Sequence, residues 1–170
     1  MKNATTVVQS AKEFPAAVTM QPLYIETQTL VERLHRRLLD VIADELTRQN
    51  RTDINAQQAL LIYNIGDAEM SAGELRSRGC YLGSNVSYNV KKLVDLSYLS
   101  HQRSRVDARS VRIKLTEAGL EVRDIVADLY QKHADTVEKV GGIFEEEMLT
   151  LNKSLKRLER FWLDQVMYRL

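Results

Sequence analysis

A mainly α-helical chain with a small β wing, in which a winged helix-turn-helix unit lies between long N- and C-terminal helices, is the fold this sequence predicts. Three observations predict it. The two prolines of this 170-residue chain are Pro15 and Pro22, so the 148 residues that follow contain no residue that lacks a backbone N–H. Over most of that length apolar residues recur at spacings of three and four, as amphipathic helices require. Between Leu99 and Leu115 the helical period gives way to alternation, with Val111, Ile113 and Leu115 apolar and Arg112 and Lys114 charged, which indicates a hairpin.

Residues 1–22 are weakly patterned and hold both prolines, so they are read as a flexible arm with one short helical piece around Val7 to Phe14. From Leu23 to about Asn50, the apolar residues Leu30, Leu34, Leu38, Val41, Ile42 and Leu46 keep helical spacing and define a long first helix. Asn55 stands three residues before Gln58, a capping box that opens a helix through Leu60, Leu61 and Ile65, closed by Gly66. Ser71 with Glu74 is a second capping box, which starts the brief helix SAGELRSRG. Gly83 and Ser84 supply a turn and N-cap for the next helix, where Val86, Val90, Leu93 and Val94 form one face. Ser87, Tyr88, Lys91 and Lys92 occupy the opposite side. After the hairpin, Thr116 caps a helix from Glu117 to about Val140 that Gly141 and Gly142 break. In the last helix, from about Ile143, Met148, Leu151, Leu155, Leu158 and Trp162 follow a near-heptad spacing.

A seam of that kind fits either a core within one small domain or a partner helix. The first and last helices are too long for a compact winged unit of about Asn55 to Leu115, which favours packing against a second copy of the chain. The expected organisation is an arm over 1–22, a dimerisation helix over 23–54, a winged helix-turn-helix over 55–115 and dimerisation helices over 116–170.

Charge separates these regions. Between Arg76 and Lys114 nine basic residues face two acidic ones, a formal +7, while the rest of the chain carries −6. The overall +1 conceals a basic head on an acidic scaffold. Such an arrangement steers one surface toward a polyanion and predicts affinity that falls with salt. Ser84, Asn85, Ser87 and Tyr88, at the positively polarised start of the helix, suit base edges and nearby phosphates, and Lys91 and Lys92 suit phosphates. Arg105 and Arg109 at the hairpin tip are candidates for a minor groove, and Asp107 for orienting one of them. Ser71, Arg76, Arg78 and Arg103 are placed to hold the backbone from the flanks.

The element order, together with VDARSVRIKLTEAG and NVSYNVKKLVDLSYL, resembles the MarR family of bacterial winged helix-turn-helix regulators over about Leu23 to Val166. The wing match rests on Asp107, Arg109, Leu115, Thr116 and Gly119. Ser97 stands where a glycine is usual, and Ser87 and Tyr88 where many relatives have threonine and arginine. The resemblance implies a homodimer on a near-palindromic DNA operator, with the reading helix in the major groove, the wing in the minor groove, and repression by blocking polymerase. It also implies a small aromatic or phenolic effector in a crevice to which His35, Arg36, Leu60 and Tyr63 could contribute. Some members sense oxidation through one cysteine near the start of the first long helix. Cys80 lies instead just ahead of the reading helix, where a buried, unreactive role is the simpler expectation, although its oxidation would disturb DNA binding.

Other classes find less support. No glycine-rich phosphate loop or nucleophile motif points to an enzyme, and no cofactor is expected. A single cysteine excludes an internal disulfide, and His35, His101 and His133 show no metal-ligand spacing. No apolar run of 18 residues or N-terminal signal pattern is evident, so a cytoplasmic location is expected. A winged helix that binds protein would not need the basic concentration. An architectural DNA binder of low specificity remains open, with the short polar residues of the reading helix counting against it.

Overall fold

The computed structural model describes residues 19–71, 74–75, 83–103 and 111–168. Its elements are α1 (Met20–Arg48), α2 (Ala56–Ile65), β1 (Met70–Ser71), α3 (Gly83–Asp95), β2 (Leu99–Arg103), β3 (Val111–Leu115), α4 (Glu117–Ala134), α5 (Val137–Gly141) and α6 (Glu145–Tyr168). The chain divides into a first unit ending at Leu38 and a second spanning Leu39 to Leu170. The first unit holds the N-terminal part of α1, which begins three residues earlier than its apolar pattern indicates and takes Pro22 into its first turn, where the missing N–H is not needed.

In the second unit, α2 is set by the predicted capping box. Asn55 Oδ1 accepts from the Gln58 N–H at 2.9 Å, and Gln58 Oε1 accepts from the Asn55 N–H at 3.1 Å. Ser71 and Glu74 form the same reciprocal pair, with N–H···O distances of 2.6 and 3.1 Å, and Glu74 and Leu75 are helical. The rest of the short helix expected there lies outside the described residues.

The wing is part of a three-stranded antiparallel sheet with order β1-β3-β2. β2 and β3 pair from Leu99 with Leu115 to Arg103 with Val111, as their alternation predicts. The added strand, β1, sets Met70 opposite Ile113 and Ser71 opposite Arg112. Two residues are too few to carry a period, which is why the sequence does not reveal it. The core gathers Leu61, Ile62 and Ile65 of α2, Met70, Leu75, Leu93, Leu99, Ile113 and Leu115, and Val122, Val126 and Leu129 of α4. Ile42 and Leu46, near the end of α1, are also buried. α2 packs against α4, and α3 against β2.

One helix is shorter than expected. α4 ends at Ala134, and α5 resumes at Val137 before Gly142 closes it in a left-handed conformation, with φ 65°. The interruption is local. The Thr136 hydroxyl donates back to the carbonyls of Lys132 and His133, and the Thr136 N–H bonds to His133 O three residues back. These bonds tighten the last turn and compete with continued α-helix.

One close approach and one left-handed turn residue set the wing against its neighbours. Gly119 in the first turn of α4 is buried, and a Cβ there would lie 2.2 Å from the Tyr98 carbonyl oxygen. Gly119→Ala is therefore expected to lower folding stability by about 1–3 kcal/mol, the range for overpacking against backbone that cannot yield. Urea unfolding would check it. Ser97, between α3 and β2, has φ 64°, a conformation that glycine adopts without a Cβ penalty. Ser97→Gly should raise stability by about 0.5–1 kcal/mol, read from the denaturation midpoint, because relief of left-handed strain exceeds the added freedom of the unfolded chain.

Candidate nucleic-acid interface

The surface built around α3 starts from the helix's two faces. Leu93 and Asn89 are buried and Val90 and Val94 half-buried, whereas Ser87, Tyr88, Lys91 and Lys92 are exposed. Tyr88 presents 66 % of its surface to solvent, a large exposed aromatic beside two lysines. The same helical period that buries one side therefore gathers four of the predicted contact residues on the other. Ser84 and Asn85 fall in the first turn of α3, on its backbone path, but their side chains lie outside the described residues.

The wing strands add Lys114, exposed on β3, and Arg112, half-buried beside it. Arg112 is held by Glu74, with Nη1 to Oε2 at 3.2 Å, so part of its charge is neutralised within the fold. Arg103 closes β2, with its side chain outside the described residues. Arg76, Arg78 and Cys80 before α3, and Arg105, Asp107 and Arg109 in the hairpin tip, also lie outside them. Ser71 lies on β1 with its hydroxyl engaged in the capping box.

The effector candidates fall on different parts of the chain. His35 and Arg36 are exposed on α1 in the first unit. Leu60 and Tyr63 are half-buried on α2 in the second, where the Tyr63 ring meets Tyr130 of α4 edge-on, with centroids 5.0 Å apart. Burial pushes the Tyr130 hydroxyl above the ordinary tyrosine range. Among the described residues no cluster of three or more His, Cys, Asp or Glu could hold a metal ion, and no helix is long and apolar enough to cross a membrane.

The chain's relatives agree with this geometry. Residues 54–119 match the family described as winged helix DNA-binding domain. Over 141 residues, 82% of this chain and 71% of the relative, the sequence is 38% identical to the exopolysaccharide II synthesis transcriptional activator ExpG of Rhizobium meliloti. Among solved structures, a mutant MarR of Escherichia coli complexed with operator DNA superposes with a TM-score of 0.66 at 19% identity, covering 83% of this chain and 99% of that one. This chain belongs to the MarR family. A Staphylococcus aureus MarR in complex with salicylate and kanamycin has the same fold, with a TM-score of 0.68, 20% identity and coverage of 85% and 95%. The protein is a winged-helix transcriptional regulator of MarR type.

Two features of this MarR-type surface have no counterpart in the sequence pattern. Asn89 is polar yet turned inward, and Tyr98 is buried with its hydroxyl bonded to Asp53 Oδ2 at 2.8 Å. Neither lies at a motif position that would mark it. Burial, and then the bond to Asp53, pushes the Tyr98 hydroxyl above the ordinary tyrosine range. Because the folded value lies above the unfolded one, this stabilisation is complete below the unfolded value of about 10 and is lost as pH rises through the folded value. Tyr98→Phe should lower stability at neutral pH by about 1 kcal/mol and reduce the loss above about pH 10, measured by urea unfolding across that range.

Proposed function

We propose that this regulator acts as a homodimer that reads a near-palindromic operator, inserting α3 in the major groove and laying the wing along the adjacent minor groove. The observation that carries this reading is the exposed face of α3, where Ser87, Tyr88, Lys91 and Lys92 converge while the opposite face is buried. Short polar side chains and an aromatic suit base edges, and lysines suit phosphates. Ser84, Asn85, Arg105 and Arg109 would extend these contacts, with Ser71, Arg76, Arg78 and Arg103 at the flanks and Asp107 orienting an arginine.

Dimerisation is supported by α6. None of its described residues is buried, and Leu149, Leu151, Leu155, Phe161 and Leu163 are all exposed. An apolar surface of this extent on a water-soluble helix calls for a cover, and a second copy supplies one with two-fold symmetry. Two reading helices would then stand about one DNA turn, ~34 Å, apart.

The effector reading rests on the salicylate complex of the Staphylococcus aureus MarR and on the half-buried Tyr63 and Leu60. A small aromatic acid would take an apolar slot with a polar anchor. Repression relieved by that ligand is the outcome the family implies. Activation is favoured by the relative at 38% identity, which is a transcriptional activator.

Selection of bound fragments from a random duplex library tests the proposal. The expected product is an inverted repeat with half-sites about one turn apart, and salt-sensitive binding without any motif would overturn the sequence-specific reading. Lys91→Ala and Lys92→Ala should each reduce the slope of log affinity against log salt by about 1, equally on all sequences. Tyr88→Ala should instead alter the selected sequence, and a variant that returns the wild-type motif would remove Tyr88 from base readout. A promoter reporter carrying the selected operator gives the sign of regulation.

A further inference from the structure

Two buried amides join the start of α2 to α3. Gln58 is 1 % exposed and Asn89 8 %, and Gln58 Nε2 donates to Asn89 Oδ1 at 3.2 Å. The other end of the same Gln58 amide completes the α2 capping box by accepting the Asn55 N–H at 3.1 Å. A backbone N–H can only donate, so the cap dictates which end of Gln58 is oxygen. The NH2 end is thereby turned toward α3, and Asn89 must present its oxygen.

This matters because, among the described residues, the side chains beside Asn89 on that face are apolar and do not fix an angle. Leu93, Val90 and Val94 face inward, and apolar contact is non-directional, tolerating a few degrees of rotation with small loss. A hydrogen bond loses strength steeply as it bends or stretches. Asn89 is adjacent in sequence to Tyr88 and two residues from Ser87, the exposed side chains nearest the reading end. Rotation at Asn89 would be transmitted to them directly.

We propose that the Gln58–Asn89 hydrogen bond is a positioning device for specificity, locking the rotation of α3 so that Ser87 and Tyr88 meet base edges in one register. The inference rests on α3 being the base-reading element. Neither amide touches DNA, and the phosphate-binding lysines lie outside the pair. Loss of the bond therefore lowers discrimination between sequences without removing the salt-dependent part of binding.

The test compares affinity for the duplex that the wild-type protein enriches from a random library with affinity for a scrambled duplex of equal length and composition. Asn89→Leu should reduce this ratio about tenfold, within the range of a misplaced base contact, and leave the salt slope unchanged. The double variant Gln58→Met with Asn89→Leu removes both amides of the pair, and with them the capping-box bond to the Asn55 N–H, so it should regain neither thermal stability over Asn89→Leu nor the ratio. Asn89→Asp keeps the acceptor and should hold the ratio within about threefold while its charge weakens both affinities. A double variant whose ratio returns to the wild-type value overturns the proposal, since the pair then matters only for folding. An Asn89→Leu protein that keeps the wild-type ratio overturns it as well. Failure of the wild-type protein to enrich any sequence overturns the base-reading role of α3 itself, a result distinct from either of these.

Discussion

The backbone of Tyr98 is where α3, the wing and α4 are tied together. Its N–H bonds to Leu93 O and closes the end of α3, while its carbonyl accepts from the Thr116 N–H at 3.1 Å and shares the Thr116 hydroxyl proton with the Ser97 carbonyl, at 3.1 and 2.7 Å. Gly119 permits the first turn of α4 to approach that carbonyl more closely than any side chain would allow. The Tyr98 ring is buried and its hydroxyl reaches Asp53 in the segment between α1 and α2. A buried carbonyl without partners would cost about 1–3 kcal/mol, so satisfying it twice at one junction favours a single geometry. Through this residue the exit of α3, the entry of β2 and the start of α4 are fixed relative to one another.

Around that junction, ion pairs brace the periphery and apolar packing fills the centre. Arg51, just beyond α1, pairs with Glu121 of α4, and Arg123 bonds to Asp67 in the α2–β1 connection and to Asp124. These pairs are partly or largely solvent-exposed, where each contributes on the order of 0–1 kcal/mol, so they orient loops more than they stabilise the fold. The larger contribution comes from α2 against α4, where Leu61, Ile62, Val122 and Val126 are fully or almost fully buried. A rigid base of this kind allows α3 to be presented with one face outward, and polar bonds can then refine its orientation.

The regulator's surface divides its chemistry by location. Lysines and an aromatic cluster on α3, apolar side chains remain exposed along α6, and acidic residues gather at the α6 N-terminus, where Glu145, Glu146 and Glu147 complement the helix dipole. Each distribution follows from helical periodicity applied to a different set of residues. The charge map of the chain places its positive excess in the sequence segment that contains α3 and the wing strands.

Elements with a strong local cause were legible in the sequence. The capping boxes at Asn55 and Ser71, the N-cap at Thr116, the alternation of β3, the glycine stop at Gly142 and the two faces of α3 depend on residues within a few positions of one another. Periodicity and capping act at that range, so the chain alone determines them. What only the tertiary structure decided involves partners far apart in sequence. β1 exists because β3 lies beside it, Gly119 is required because Tyr98 folds against it, and Glu74 holds an arginine of the wing. Asn89 has the composition of a surface residue and becomes an interior one only when Gln58, 31 positions earlier, offers it a hydrogen-bond donor. A buried polar group needs its partner present, and which residue that is depends on how the helices pack rather than on the sequence around either one.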